Sequence, residues 1–396
     1  MINLGNIGAM LRSNKSIYSI YYYIGSLIIR TIGLFVPCNS KKILFVSFGG
    51  LKFDDSPKEI YLELLKDDRF KDYDLIWAFI DPEKFSIPKG NKIKINSFKY
   101  FLHALNSRIW ITNSSIERGL SFKRQRNIYF NTWHGTPIKK MGCDLPSENE
   151  SFTSMALNSW DVQLAQSEYE ANIFERVFRL NKSQFKIVGL PRNDSLAHVD
   201  NTKIAEIRRR LNIPKGKKVI LYAPTFREYV KDENNKSVLS LKVDFKKWEL
   251  SLGDEYILLL RAHYDVAKIL GFSSDGFVRN VSSYPCLNDL MIVSDILISD
   301  YSSIFFDYSI LERPMLCYTY DFDEYHEKRG LYFDICKELS VNKDITESEL
   351  IDEIKNLDYR FRKTIAREFK AKYVTAYGTA SKKSVDIIHE LISRQK

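Results

Sequence analysis

"DILISDYSSIFFDYSILE", Asp295 to Glu312, sets the fold class of this chain. Ile296, Leu297 and Ile298 form a short apolar run suited to a fully buried strand. Ser299, Asp300, Tyr301, Ser302 and Ser303 make a polar turn, and "IFFDYSILE" reads as the helix that follows. Strand, turn and helix together are the repeating unit of a doubly wound α/β sheet, where ligands sit at the carboxyl ends of the strands. The helix start offers free backbone N–H groups and the positive end of its dipole, which attract anions. Ser302 and Ser303 could add hydroxyl donors. The plainer reading is that Asp300 or Ser302 caps the helix.

The same alternation runs in both directions. "KKILFVSF" (41–48), "YDLIWAFI" (73–80), "RIWITNS" (108–114), "NIYFNTW" (127–133) and "DVQLAQS" (161–167) read as buried strands. A helix opens at Pro57, with proline in the favoured first turn. "EYEANIFERVF" is a helix, and "FKIVGLPRND" a strand and turn that close this half. A polar, helical stretch from Asp200 leads to a second set of strands, "KKVILYAPT", "EYILLLRAHY", "DILISD" and "MLCYTYD". The pattern predicts two doubly wound α/β domains, over residues 41–200 and 201–375. An apolar segment, 1–40, precedes them, and a C-terminal helix, 376–396, could pack back on the first domain.

The chain has 396 residues, 44% hydrophobic and 28% charged, which suits a folded protein with a large core. Its formal charge of +9 favours nucleic acid, an anionic membrane or a phosphorylated substrate. No nucleic-acid-binding module accompanies the charge, so no nucleic-acid partner is expected. The five cysteines are scattered and form no CxxC pair, as in a reducing cytoplasm with free thiols. "IYSIYYYIGSLIIRTIGLFVP" (17–37) is the most apolar stretch. Arg30 interrupts it, no signal-cleavage site follows it, and its unbroken part falls short of the roughly 20 residues a spanning helix needs. It reads either as an interfacial helix or as a core helix of the first domain. In the interfacial reading Arg12, Lys15, Lys41 and Lys42 flank it, and Tyr18, Tyr21, Tyr22 and Tyr23 form an aromatic belt.

"NTWHGTPIKKMG" (131–142) places His134 just after a strand, and "RAHY" (261–264) does the same for His263. A histidine of near-neutral pKa can take a proton from a hydroxyl, and one beside a phosphate would be held as the imidazolium. Lys139, Lys140, Arg192, Arg227, Arg261 and Arg329 could meet phosphate, although solvated charge is the plainer reading of each. There is no HExxH, Cys/His cluster, Walker loop, GxGxxG or GxSxG. Asp321 and Asp323 in "YDFDEY" come nearest to a DxD pair and read as turn residues. No metal and no cofactor are expected.

"DDSPKEIY" (54–61), "NTWHGTPIKKMG", "GLPRND" (189–194), "YAPTFR" (222–227), "RAHY" and "ISDYSSIFFDYSILERPMLCYTYDFDEYHEKRGLYFD" (298–334) occur in that order. Together, over roughly residues 43–390, they resemble the CDP-glycerol glycerophosphotransferase family of teichoic acid and related polymer synthesis. The resemblance implies a GT-B architecture of two Rossmann-like domains, with the acceptor in the first, the donor nucleotide in the second and the active site between them. It implies that glycerol phosphate passes from CDP-glycerol to a hydroxyl of a lipid-linked glycan or polyol-phosphate acceptor, with CMP released. It further implies peripheral attachment to the cytoplasmic membrane face and an anionic membrane partner. By the same resemblance His134 is the general base, and His263 is a second catalytic histidine touching the donor pyrophosphate. Ser302, Ser303, Arg261 and Arg227 would bind donor phosphate, and Asp307, Pro224 and Thr225 the nucleotide or ribose. Gly135, Thr136, Asp55 and Lys58 would lie on the acceptor side. CDP-ribitol or another CDP-polyol is the nearest alternative donor, and a GT-B nucleotide-sugar glycosyltransferase the alternative within the fold. A non-catalytic membrane or nucleic-acid-binding protein would leave two strand-end histidines beside a phosphate turn unexplained.

Overall fold

The computed structural model describes residues 15–145, 159–225, 227, 242–262 and 276–394. The chain divides into two compact units: Met1–His134, Gly142–Asp194 and Thr379–Lys396 form the first, and Gly135–Met141 with Ser195–Gly378 the second.

The first unit holds β1 (Asn39–Val46), β2 (Asp74–Phe79), β3 (Asn91–Lys94), β4 (Ser107–Thr112), β5 (Ile128–Asn131), β6 (Val162–Ala165) and β7 (Phe185–Ile187). They form one sheet in the order β3-β2-β1-β4-β5-β6-β7, and every neighbouring pair is parallel. The order reverses between β1 and β4, which opens a crevice at the carboxyl ends of those strands. Successive side chains feed opposite cores: Ile43, Phe45, Trp77 and Ile109 on one face, Leu44, Val46, Ile76 and Trp110 on the other. A sheet covered on both faces needs apolar residues at every position, which is why these strands read as unbroken hydrophobic runs.

The unit's helices include α1 (Lys15–Phe35), α2 (Asp55–Leu64), α3 (Phe98–Asn106) and α4 (Glu168–Phe178). α2 supplies Ile60, Tyr61 and Leu64 to the first face, where the C-terminal helix (Ala380–Ser393) adds Val385, Ile388 and Ile392. α1 and α3 cover the second face with Ile29, Tyr100, Ala104 and Leu105.

α1 answers to both readings of its sequence. On one side Tyr18, Ser26 and Ile29 are buried. Tyr18 and Tyr21 donate hydroxyl bonds to the carbonyls of Gly119 and Arg118, and the Ser121 N–H donates to Ser26 Oγ at 2.8 Å. A Cβ on Gly25 would lie 2.8 Å from Leu120 Cδ2, so a larger residue would force helix and loop apart. The opposite side exposes Ile20, Tyr23, Ile24, Leu27, Ile28, Leu34 and Phe35, each more than half open to solvent. The expected belt is therefore corrected: Tyr18 and Tyr21 face the protein, and Arg30 donates from Nε to the Ser121 carbonyl and from Nη2 to its Oγ, both at 2.6 Å. Lys42 is also removed from the basic flank, because it is buried against Asn106 Oδ1 (3.1 Å) and Asp74 (3.3 Å). Arg12 lies outside the described residues.

The second unit has β8 (Lys218–Tyr222), β9 (Tyr256–Leu260), β10 (Val278–Asn280), β11 (Ile296–Ser299) and β12 (Met315–Cys317), all parallel in the order β10-β9-β8-β11-β12. Its order reverses between β8 and β11. The helix after the Ser-rich turn, α5 (Ile304–Ser309), has six residues and is shorter than the expected "IFFDYSILE". α6 (Phe322–Arg329) follows β12.

Asp194 ends the "GLPRND" motif by capping the C-terminal helix: its carboxylate accepts the Ala380 and Ser381 N–H groups at 2.8 and 2.7 Å. Asp194→Ala is expected to cost about 1–2 kcal/mol and to speed amide exchange first in the turn after Thr379. Unchanged exchange there would show that the helix holds without its cap.

Candidate active site

The crevice of the first sheet gathers loops from β1, β4, β5 and β7. Asn113 directly follows β4, and His134 lies three residues beyond β5. His134 Nδ1 is 2.7 Å from the Asn113 carbonyl oxygen. A carbonyl can only accept, so Nδ1 carries a proton and the neutral ring keeps its lone pair on Nε2. That arrangement leaves Nε2 as a base.

The backbone before His134 is held in an unusual state. Trp133 is left-handed, at φ 51°. Such a conformation costs a bulky residue roughly 1–3 kcal/mol and persists where surrounding contacts enforce it. Here the Trp133 N–H donates to Asn131 Oδ1 at 2.7 Å, and its ring packs 4.6 Å from Phe178. The indole also stacks on the His134 ring, 4.3 Å between centroids at 26°. Phe48 approaches the same imidazole at 5.9 Å, and its N–H donates to Asn113 Oδ1 at 2.8 Å.

Asp55 and Arg192 complete this cluster. Asp55, at φ 64°, begins α2, and its Oδ1 accepts the Ser56 N–H. Its Oδ2 lies 3.0 Å from Arg192 Nη1, which also donates to the His134 carbonyl at 2.6 Å. His134 is exposed by surface area, yet protein crowds most of its ring. That crowding pushes the imidazole pKa below its ordinary value, and Arg192 acts in the same direction; the Asn113 carbonyl and Asp55 oppose them.

Of the remaining residues expected on the acceptor side, Lys58 Nζ sits 5.8 Å from the Phe53 ring centroid and 3.9 Å from Glu59. Gly135 and Thr136 are buried and belong to the second unit's segment Gly135–Met141. That segment is pinned within its own unit: the Lys140 N–H donates to the Gly330 carbonyl at 3.0 Å, and the Tyr332 N–H to the Ile138 carbonyl at 2.8 Å. Arg329 donates to the Lys140 carbonyl, so it braces this segment.

In the second unit Asp300, directly after β11, accepts the Thr225 and Tyr301 N–H groups on Oδ1, both at 2.8 Å. Its Oδ2 meets Arg227 Nη1 at 2.8 Å. The other edge of Arg227 grips Asp321, with Nε at 2.6 Å and Nη2 at 3.0 Å, and Nη1 also reaches the Thr225 carbonyl. Rings of Tyr301, Tyr320 and Tyr325 lie 5.0–5.3 Å from the guanidinium. Expected as a phosphate ligand, Arg227 is instead 4% exposed and neutralised by two carboxylates, joining the loops after β8, β11 and β12. Burial opposes its charge, but Asp300 and Asp321 outweigh burial and raise its pKa.

Arg261 likewise reaches inward, donating to the Val281 and Tyr284 carbonyls. Ser302 Oγ accepts the Ile304 N–H at 3.3 Å, and Ser303, at the N-cap, makes no side-chain cap bond. Pro224 and Thr225 are half-buried, and Asp307 is 4% exposed inside α5. His263 and Phe226 lie outside the described residues. Asp321 serves Arg227 and the Tyr301 hydroxyl, and among the described residues no three His, Cys, Asp or Glu side chains are grouped to hold a metal.

The model of the CDP-glycerol:poly(glycerophosphate) glycerophosphotransferase family matches residues 28–390. A teichoic acid poly(glycerol phosphate) polymerase of Staphylococcus epidermidis is 34% identical over 378 residues, covering 90% of this chain and 51% of the relative. This chain thus spans about half of that polymerase's length. A teichoic acid glycerol-phosphate transferase of Staphylococcus aureus is 34% identical over 334 residues, 81% of this chain and 85% of the relative. Among solved structures, the wall teichoic acid polymerase TagF soaked with CDPG superposes with a TM-score of 0.82 at 33% identity, over 93% of this chain and 94% of the other. The fold is GT-B-like, built from two Rossmann-like units.

If Arg227 is the hub of its unit, Arg227→Met leaves the Asp300 and Asp321 carboxylates buried without their counter-charge. The expected loss is about 3–5 kcal/mol in chemical denaturation. Unchanged stability with weakened donor affinity would make Arg227 a ligand contact instead.

Proposed function

The chain belongs to the CDP-glycerol:poly(glycerophosphate) glycerophosphotransferase family, and on that premise we propose that it transfers glycerol phosphate from CDP-glycerol to a hydroxyl of a membrane-anchored acceptor in teichoic acid or related polymer synthesis. The observation that carries the assignment is the bond from His134 Nδ1–H to the Asn113 carbonyl, which leaves Nε2 unprotonated in the neutral ring. Nε2 takes the proton of the acceptor hydroxyl as its oxygen attacks the phosphorus that bears glycerol. A new P–O bond forms, the bond from that phosphorus to the bridging oxygen breaks, and CMP leaves with the bond's electrons. Phosphoryl transfer of this kind depends mainly on positioning and on neutralising charge.

The donor phosphates belong at the turn after β11, where Ser303 caps nothing and the N–H groups of the following helix begin. In this reading Arg227 builds the turn and Ser302 and Ser303 face the ligand, with His263 completing the set. Identity of 34% to a poly(glycerol phosphate) polymerase and to a glycerol-phosphate transferase supports glycerol as the polyol.

Peripheral attachment at the cytoplasmic membrane face accounts for α1. The helix is long and apolar enough to cross a bilayer by length and composition. Its bonds to Arg118, Gly119 and Ser121 favour lying along the unit, with the stripe from Ile20 to Phe35 turned outward to lipid.

His134→Gln is expected to lower turnover by roughly 10²–10⁴-fold while CDP-glycerol still binds. Because the base works only when unprotonated and its pKa is depressed, kcat/KM should hold below the pH at which an ordinary imidazole protonates and then fall. A folded, fully active H134Q would remove the assignment. Replacing Ile24, Leu27 and Ile28 with Ser should leave the fold intact and release the protein from anionic liposomes on sedimentation; undiminished pelleting would place the membrane contact elsewhere.

A further inference from the structure

Asp55 and Arg192 form an ion pair whose one guanidinium nitrogen also touches the peptide of the candidate base. Arg192 Nη1 lies 3.0 Å from Asp55 Oδ2 and 2.6 Å from the His134 carbonyl oxygen. The pair is enclosed, with 13% of the arginine and 6% of the aspartate side chain exposed. The residues come from three places: Asp55 from the start of α2, Arg192 from the turn after β7, and His134 from the loop after β5. Asp55 accepts a left-handed backbone, at φ 64°, to bring its carboxylate there. The bond from the Ser56 N–H and the ion pair with Arg192 hold that conformation in place.

We propose that the Asp55–Arg192 pair is a positioning device for His134, with Arg192 fixing the histidine peptide and Asp55 aiming Arg192. This inference rests on the reading of His134 as the general base. The pair is then neither an acceptor contact nor a phosphate ligand. Its two charges also act on the imidazole in opposite senses: Asp55 raises the His134 pKa and Arg192 lowers it. Among the described residues, Phe48, Asn113 and Trp133 also pack around the ring and carry no charge.

The test uses the full chain and the variants Asp55→Asn, Arg192→Gln, Arg192→Lys and His134→Gln. Asparagine is the suitable replacement at 55 because it tolerates the left-handed backbone. CMP release from CDP-glycerol is followed against pH with a short-chain lipid analogue ending in glycerol phosphate, and the His134 ring is titrated by NMR. kcat should fall on the order of tenfold or more in D55N and R192Q, with the KM for CDP-glycerol unchanged. The acidic limb and the His134 titration should move to lower pH in D55N and to higher pH in R192Q. Arg192→Lys, which keeps the charge and loses the fork, should titrate near the parent but turn over more slowly. Shifts in the same direction, or no shift in folded D55N and R192Q, would overturn the proposal. If H134Q turns over normally, the base assignment fails and takes this inference with it. If H134Q is inactive while the limbs stay put, this inference alone fails.

Discussion

Every described strand in both sheets runs parallel to its neighbours, so each sheet delivers all its strand ends to one edge. At that edge the ladders stop and backbone groups need other partners. The first residue after the strand beyond each switch point supplies them. In the first unit Asn113, following β4, takes the Phe48 N–H from the loop after β1. In the second unit Asp300, following β11, takes the Thr225 N–H from the loop after β8. The two residues hold equivalent places and stitch equivalent loops, but their charge differs. Asn113 is neutral and turns its carbonyl to a histidine that must lose its proton, whereas Asp300 is charged and anchors a buried arginine.

The first unit's cluster also shows where the fold spends stability on a site. Trp133 and Asp55 both sit in left-handed backbone, one beside the candidate base and the other beside the arginine that grips that base's peptide. Aromatic packing around Trp133 and the ion pair at Asp55 offset the strain. Stacked on Trp133 and bonded at Nδ1, the imidazole is constrained in both plane and tautomer.

The sequence disclosed the central strands because both of their faces are buried, and it missed β3 and β10 for the opposite reason. "NKIK" and "VRN" are short edge strands with too few buried apolar positions to make a run. α1 left core and interface unresolved because its apolar residues encircle it; only tertiary structure shows one side packed on the 118–121 loop and the other bare. His134 was visible from its place after a strand. Asn113 was not, since it orients the ring through a backbone carbonyl that any residue type supplies. Arg192 and Arg227 looked like phosphate partners because residue type and charge are legible in a sequence, while the carboxylates that claim them, Asp55, Asp300 and Asp321, are distant along the chain.

General-base action by His134 depends on which of its nitrogens carries the proton. Long-range 1H–15N correlation of the imidazole rings, with His134→Gln assigning the signal, reads that directly. Above the ring's pKa the structure predicts a protonated, pyrrole-like Nδ1 and a lone-pair, pyridine-like Nε2. A protonated Nε2 in the neutral ring would break the bond to Asn113 and contradict the assignment of His134 as the base.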